Sequence, residues 1–201
     1  MANGKVITGY SKPIIAKYAF SDGHISYTNK TPLARGVEVS MDVEIGDATN
    51  FFADNTISES VAGQFNGATA TFTVDGLKDT ARNLIAGLTS SITIPVNSST
   101  VNAMVYDDLQ VIPYVGIGFV VRYMENGVIT YAPVILPKAQ FSPESLKAAT
   151  QSESVEFQTT ELQATVMRAD DASHSWKIIA EDQATEAGAV AVIEAYLAAT
   201  H

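Results

Sequence analysis

Residues 114–136 read YVGIGFVVRYMENGVITYAPVIL and decide the fold, because an Asn-Gly pair separates two strand-like runs. A type I′ turn needs positive φ at both central residues, which Asn and Gly tolerate. The stretch therefore predicts a β-hairpin that turns at Asn126-Gly127, with arms over residues 114–124 and 128–136. Its first arm is nearly continuously apolar over residues 115–121, which is typical of a strand buried on both faces.

Two similar pairs occur earlier in the chain. Asp22-Gly23 separates residues 13–20 from 24–27, and Asn66-Gly67 separates residues 57–65 from 68–74. Each predicts a further hairpin. Apolar residues alternate with polar ones over residues 37–45, and with threonine over residues 68–74, as in strands with one buried and one wet face. These patterns predict a mainly β fold.

Helical spacing is visible in two places. The apolar positions of residues 77–88 predict a helix that is capped by Asp75, ends near Gly87 and covers one face of the sheet. Residues 184–199 predict a C-terminal helix that ends in a free tail. Residues 89–109 are rich in Ser, Thr and Asn, and we interpret them as a variable loop or insertion with a weak strand at 101–106. The fold class is therefore mainly β with flanking helices (α+β).

Bulk composition places the chain among folded globular proteins. At 201 residues, with 46% hydrophobic and 17% charged residues, it fits a single domain over residues 1–201. A formal charge of −10 disfavours sequence-independent nucleic-acid binding, which needs basic residues to neutralise phosphates. The apolar runs are far shorter than the roughly 20 residues of a membrane-spanning helix. The first ten residues lack the pattern of a secretion signal, so we expect synthesis in the cytoplasm and no membrane partner.

The sequence contains no motif that is typical of catalysis, metal binding or cofactor binding. The three histidines have no metal-ligand spacing, and the absence of cysteine excludes a disulfide scaffold and a thiolate nucleophile. No nucleophile or phosphate-loop motif occurs. Gly116-x-Gly118 lies within a strand pattern and is better interpreted as a close-packing or bulge site than as a dinucleotide fingerprint. We therefore expect no catalytic residue, no metal, no cofactor and no enzymatic activity.

Several segments in order resemble one known family. They are NFFADN at residues 50–55, PYVGIGF at 113–119, FSP at 141–143, SVEFQTTE at 154–161 and LQAT at 162–165. Together they resemble the major tail proteins of long-tailed bacteriophages, in the group often called phi13-type. The resemblance extends over roughly residues 5–198 and departs from the family pattern at residues 89–109 and in the C-terminal helix.

The resemblance implies a structural virion protein, a subunit of the tail tube. Members form a β-sandwich or half-barrel flanked by a helix, and six subunits close into a ring. The rings stack into a tube around the tape measure protein, between tail terminator and tail-tip proteins. The tube is assembled in the host cytoplasm and belongs to the tail of the virion. DNA passes through its lumen into the host without specific binding.

Two sets of candidate residues follow from this expectation. Acidic side chains facing the lumen would repel phosphate, so that DNA slides freely; the candidates are Glu38, Asp42, Glu44, Glu156 and Glu161. A second set is expected to form the contact between subunits or between rings; it comprises Phe51, Phe52, Asp54, Asn55, Ile57 and Phe65. Phe51 and Phe52 have an alternative interpretation as ordinary core residues.

Three other interpretations stay open. One is the inner tube of a contractile tail or of a secretion apparatus, which a neighbouring sheath protein would indicate. Another is a surface-exposed β-sandwich binding domain, against which the missing secretion signal argues. An enzyme is the third, and it would require a pocket with converging polar groups.

Overall fold

The structure of the protein is a computed structural model, in which residues 4–97, 99–108, 110–146 and 158–201 are described. The fold is mainly β with flanking helices, as the sequence predicts. In chain order its elements are β1 (Val6–Ser21), β2 (His24–Pro32), β3 (Gly36–Ile45), β4 (Thr49–Ala53), β5 (Thr56–Val61), β6 (Phe65–Val74), α1 (Asp79–Ala86), β7 (Ser91–Val96), β8 (Ser99–Met104), β9 (Val115–Glu125), β10 (Val128–Phe141), β11 (Thr160–Met167), β12 (Ile178–Ile179) and α2 (Glu186–Tyr196).

Two of the three predicted hairpin turns are confirmed. Asp22-Gly23 joins β1 to β2 with φ of 54° and 81°, and Asn126-Gly127 joins β9 to β10 with φ of 50° and 80°. The third is wrong, because β6 runs without a turn through Asn66-Gly67. The chain reverses earlier, at Asp54-Asn55, where φ is 48° and 62°. Asn and Asp tolerate this left-handed conformation, so the turn needs no glycine.

The main sheet curls around the larger of two apolar cores. Its strand order is β2-β1-β9-β10-β11-β6-β3, with β12 paired to β10, and the sheet does not close. Phe119 of β9, Phe72 of β6 and Leu162 of β11 are buried together on its inner face. At the start of β3, a Cβ built on Gly36 would lie 2.2 Å from the Tyr10 ring of β1. The last strand of this order, β3, therefore returns towards β1, as in an incomplete barrel.

Helix α1 packs against this larger core and bears out most of its prediction. Ile85 is buried in the core, and Gly87 ends the helix in the left-handed region at φ 66°. The predicted cap is wrong, because Lys78 occupies the N-cap position and its side chain makes no capping hydrogen bond. Asp75 instead accepts a hydrogen bond of 3.0 Å from the backbone N–H of Arg35. Its carboxylate thereby ties the end of β6 to the start of β3.

Helix α2 covers the outer face of the sheet over β9 and β10. A Cβ built on Gly118 would lie 2.2 Å from Cγ2 of Ile193, and one on Gly116 would lie 2.4 Å from the Tyr27 ring. Any larger residue would push the helix or the ring away. The interpretation of Gly116-x-Gly118 as a close-packing site is therefore confirmed.

The residues after α2 are attached to the sheet, whereas the sequence predicts a free tail there. Thr185 caps α2 through its Oγ1, which accepts a hydrogen bond of 3.1 Å from the N–H of Gly188. After the helix, His201 exchanges backbone hydrogen bonds of 2.7 and 2.9 Å with Ile25 of β2. Its ring also stacks on Tyr196, with 4.0 Å between ring centroids. The free edge of β2 offers backbone groups that the last residue satisfies.

The sequence predicts a loop or insertion with a weak strand over residues 89–109, and the described part of this segment is a hairpin rather than a loop. It contains β7 and β8, which pair in register from Ser91 opposite Met104 to Val96 opposite Ser99. The weak strand expected at 101–106 overlaps β8. Two hairpins, β4–β5 and β7–β8, thus form sheets of their own outside the main sheet. We call them the first arm (residues 49–61) and the second arm (residues 91–104), and the rest of the described chain the body.

Candidate assembly surfaces

The first arm exposes large apolar side chains. Phe51 and Phe52 are 64% and 62% exposed, and Ile57 is 57% exposed. Pairing places Phe52 opposite Ile57 and Phe51 opposite Glu59, with a shift in register between the two pairs. Both phenylalanines therefore lie unburied next to each other where the pairing of the hairpin is irregular.

The second arm is amphipathic. Cross-strand register places five apolar side chains on one face, namely Ile92, Ile94, Val96, Val101 and Ala103. On the other face, Thr93 Oγ1 donates a hydrogen bond of 3.3 Å to Asn102 Oδ1. Ile92 is 55% exposed and Val101 is 52% exposed, so the apolar face lies open to solvent. Residues 83–106 contain no charged side chain at all.

A narrow waist joins the first arm to the body. The N–H of Gly46 donates a hydrogen bond of 2.9 Å to the carbonyl of Gln64, just beyond the ends of β3 and β6. A Cβ built on Gly63 would lie only 1.5 Å from the carbonyl oxygen of Gly46. The two chain segments cross so closely that no side chain fits at Gly63. The arm is thus joined to the body at this close contact, and deleting it there leaves the core residues of the body in place.

The outer face of the sheet is polar where α2 does not cover it, on strands β3, β6 and β11. Glu38 of β3 and Glu161 of β11 both stand opposite Thr73 of β6, one on each side. Asp42 of β3 stands opposite Thr69 of β6. These three strands contain no lysine and no arginine. Carboxylates fixed on a sheet without countercharge create a negative surface potential.

Most of the predicted acidic residues share this face. Glu38, Asp42 and Glu44 lie on β3, and Glu161 lies two strands away on β11. All four are exposed. Glu156 lies outside the described residues. The alternation of the sequence was sufficient to predict the shared side of the three β3 residues, because side chains two apart on a strand point to the same side. That Glu161 joins them depends on the pairing of β11 and β3 with β6.

The predicted interface residues divide between the first arm and the body. Those on the arm are Phe51, Phe52, Asp54, Asn55 and Ile57, and all of them are exposed. That exposure is incompatible with the alternative in which the two adjacent phenylalanines are core residues. Phe65 belongs to the body, because its ring stacks on Trp176 with 4.3 Å between centroids and packs against the larger core. We therefore leave Phe65 out of the surface proposed below.

The second arm was missed at the level of sequence, although a signal was present. Ile92, Ile94 and Val96 alternate with polar residues or proline, and Asn97 follows at φ 51°. Proline within such a run argues for an edge strand rather than against any strand. The surrounding serines and threonines obscured this short alternation. An alternating run followed by Asn-Ser predicts a hairpin with one apolar face.

A polar cluster on the body ties three segments together without forming a reactive site. Lys138 Nζ of β10 and the Tyr18 hydroxyl of β1 donate hydrogen bonds of 2.7 and 2.8 Å to Oδ2 of Asp170. The hydrogen bond from Lys138 lowers the pKa of the Asp170 carboxyl below its usual value. Burial raises the pKa of the Tyr18 hydroxyl to about 12. The acid and the phenol thus keep their ordinary charge states, which suits a structural role.

Clusters of metal ligands and membrane-spanning helices are lacking in the described part of the chain. No group of three or more histidine, aspartate or glutamate side chains there could hold a metal ion. None of the helices in the described ranges is long and apolar enough to span a membrane. The sequence matches no known protein-family model and no curated protein.

Proposed function

We propose that the protein is a structural subunit that assembles with copies of itself into the hexameric rings of a bacteriophage tail tube. The observation that carries this proposal is the apolar face of the second arm, which lies open on an isolated two-stranded hairpin. Such hairpins are only marginally stable alone in water. Contiguous exposed apolar surface on a folded protein marks an interaction site.

The arms supply the contact between stacked rings in this proposal. Both project from a body that is already well packed, so their apolar side chains are available for another copy. Burying a phenylalanine, isoleucine or valine side chain stabilises a contact by roughly 1.5–3 kcal/mol. The resemblance of residues 50–55 to the tail-protein family supports this role for Phe51, Phe52, Asp54, Asn55 and Ile57.

The polar face of β3, β6 and β11 is proposed as the wall of the lumen. Its carboxylates, with Glu38, Asp42, Glu44 and Glu161 on the described strands, repel the phosphates of passing DNA. Threonines between them offer only short, neutral side chains, to which a phosphate does not bind strongly. The genome then slides through the tube without being retained by the wall.

The partners follow from this role. The rings would surround the tape measure protein during assembly and end at the tail terminator and tail-tip proteins. The finished tube is part of the virion tail and acts without a cofactor or catalysis. Support for this part comes from the family resemblance of the sequence.

Negative-stain electron microscopy of the concentrated protein tests the proposal. The wild-type chain is expected to give six-fold rings or hollow tubes. The matched control replaces residues 47–62 with a two-residue turn between Gly46 and Gly63, which removes the first arm at its waist. We expect this variant to fold and remain monomeric. A wild type that stays monomeric when concentrated would count against the tube, and tubes from the truncated chain would remove the first arm from the contact.

A second experiment tests the lumen assignment. Glu161→Lys with Gln163→Lys places two positive charges on β11, which lies away from the sheet edges. We expect tubes to form normally and genome delivery to fall, because cations on the wall hold the phosphates. Glu181→Lys with Glu125→Lys, outside this face, is the control. Normal infectivity of phage carrying the β11 variant would show that this face does not line the lumen.

A further inference from the structure

Charge is distributed very unevenly along the first part of the chain. Residues 1–35 contain a single acidic residue, Asp22, and five basic ones, namely Lys5, Lys12, Lys17, Lys30 and Arg35. Residues 36–77 contain no basic residue and seven acidic ones, namely Glu38, Asp42, Glu44, Asp47, Asp54, Glu59 and Asp75. The two segments are adjacent in sequence but have opposite charge.

The strand order places these segments at opposite edges of the main sheet. The basic segment forms β1 and β2, and β2 is the first strand of the order. The acidic segment forms β3 and β6, and β3 is the last strand. We call the two ends the basic edge and the acidic edge. Among the described strands, β2 pairs only with β1 and β3 only with β6, so each edge has one side without a strand partner. On β2, the backbone of His201 occupies this side at Ile25.

Two lysines of the basic edge, Lys17 and Lys30, make no ion pair with any described residue. Lys17 and Lys30 line one groove of about 460 Å³ between the β1–β2 pair and α1. Neither lysine has a carboxylate of a described residue within 4.0 Å, whereas Lys5, Arg35 and Lys138 each have one. Unpaired lysines on an exposed edge are therefore available to a negative partner.

Two carboxylates of the acidic edge are likewise without an ion-pair partner among the described residues. Asp42 and Glu44 lie near the C-terminal end of β3, are exposed and make no ion pair with any described residue. Every side chain of β3 from Asp42 to Ile45 is exposed, including the apolar Val43 and Ile45. The acidic edge thus combines countercharge for the lysines with apolar side chains that a neighbour would bury.

From this polarity we infer that copies of the chain associate side by side, with the basic edge of one copy against the acidic edge of the next. The inference rests on the proposed ring assembly and names the lateral contact within it. In that contact, Asp42 and Glu44 lie where the proposed lumen wall of one copy meets the next copy, while Glu38 and Glu161 stay available to repel DNA. Two different surfaces joined head to tail form a heterologous interface, which closes into a ring when the rotation between copies divides a full turn. Complementary charge selects this orientation and disfavours contacts between two like edges.

Lysines at sheet edges also have a simpler use, since they prevent edge-to-edge aggregation. The two roles predict opposite results when the charges are exchanged. If the charges only prevent aggregation, a change at one edge acts independently of the charges at the other edge. A lateral contact requires the two edges to remain complementary, so a loss at one edge is restored by the matching change at the other.

Charge exchange provides the test. The first variant, Lys17→Glu with Lys30→Glu, has two acidic edges, and the second, Asp42→Lys with Glu44→Lys, has two basic edges. Sedimentation velocity at low salt is expected to show association weakened at least about tenfold for each variant alone. An equimolar mixture of the two is expected to regain association, as is one chain carrying all four substitutions. High salt should weaken every assembled form, because the contact is exposed and charged.

Controls distinguish a lateral contact from misfolding and from a general effect of net charge. Circular dichroism establishes that each variant is folded. Glu125→Lys with Glu181→Lys raises the net charge by the same amount as Asp42→Lys with Glu44→Lys, but away from both edges. Association of either edge variant equal to that of wild type would overturn the inference, as would a mixture no better than its parts or a wild type that remains monomeric at low salt. Hollow tubes from both single variants would overturn the lateral contact but leave the tube proposal standing. Loss and rescue of association in assemblies that are not hollow tubes would support the lateral contact and contradict the tube proposal.

Discussion

The body and the two arms are built from the same kind of strand, yet they place their apolar side chains in opposite environments. In the body, Phe72 is fully buried between strands and lies edge-on to Phe119. In the arms, Phe51 and Ile92 are more than half exposed on isolated hairpins. A strand of the body has neighbours on its sides and faces, whereas an arm has only its own return strand. The difference suggests that the body folds the chain and the arms connect one chain to another.

The largest effect on stability is expected from truncating matched phenylalanines in the two regions. Phe72→Ala leaves a cavity in the larger core and should lower the free energy of unfolding by about 3–5 kcal/mol. Phe51→Ala removes the same atoms from an exposed site and should change it by less than about 0.5 kcal/mol in the monomer. Urea denaturation of both variants measures the contrast. Similar losses would mean that the first arm is part of the folded core.

Close packing of α2 should give the next largest effect. Gly118→Ala places a methyl group against Ile193 and should cost about 1–3 kcal/mol as the helix shifts. Gly4→Ala is the control, since nothing lies within 4 Å of its position. Thermal unfolding compares the two variants. A Gly118→Ala chain as stable as wild type would contradict the tight contact between α2 and β9.

The polar cluster of the body predicts a smaller effect that depends on pH. The pKa of Asp170 is lowered in the fold, so its contribution is present above the ordinary aspartate pKa of 3.8 and is lost as pH falls through the lower folded value. Because the side chain is partly exposed, Asp170→Asn should cost about 1 kcal/mol or less at pH 7. Urea denaturation at pH 7 and at a pH below the lowered pKa of Asp170 should show the difference between variant and wild type disappear at the lower pH. Glu181 makes no ion pair with any described residue, so Glu181→Gln should show no such trend. A cost of Asp170→Asn that stays constant with pH would contradict the ion pair between Asp170 and Lys138.

The smallest effect on folding and the largest on assembly should come from the second arm. Ile92→Ser with Ile94→Ser makes its apolar face polar and should change monomer stability by less than about 0.5 kcal/mol. Assembly should be lost, because the buried contact would then contain unfavourable polar groups. Thr93→Ser on the opposite face of the same arm is the control. Tubes formed by the double variant would show that the apolar face is not a contact.

Local features of the sequence predicted the parts of the fold that depend on neighbours in the chain. Asp22-Gly23 and Asn126-Gly127 form the expected turns, because their backbone preferences are local. Asn66-Gly67 does not turn, since pairing of β6 with β3 and β11 keeps the chain extended. Local preference was overridden there by contacts between distant segments. The reversal at Asp54-Asn55 was present in the sequence but lacked the glycine that marks such turns.

Packing between distant elements could not be derived from the sequence. The pattern around Gly116-x-Gly118 predicted close approach but not which element approaches, and α2 lies about seventy residues further along the chain. The stacking of Phe65 on Trp176 likewise depends on the whole fold, so an interface residue was expected where a body residue lies. The shared face of Glu38, Asp42 and Glu44 was predictable because a single strand determines it.

Thiol protection of the second arm tests most directly whether the arms exist to bind another copy. The chain has no cysteine, so Ile94→Cys introduces a single reactive group on the apolar face, and Glu181→Cys introduces one on the body as a reference. We expect the rate constant of thiol labelling at position 94 to fall severalfold when the protein is concentrated into assemblies, and that at position 181 to stay constant. Equal rate constants for position 94 in dilute and assembled protein would contradict the account, because the apolar face would then remain open to solvent in every state.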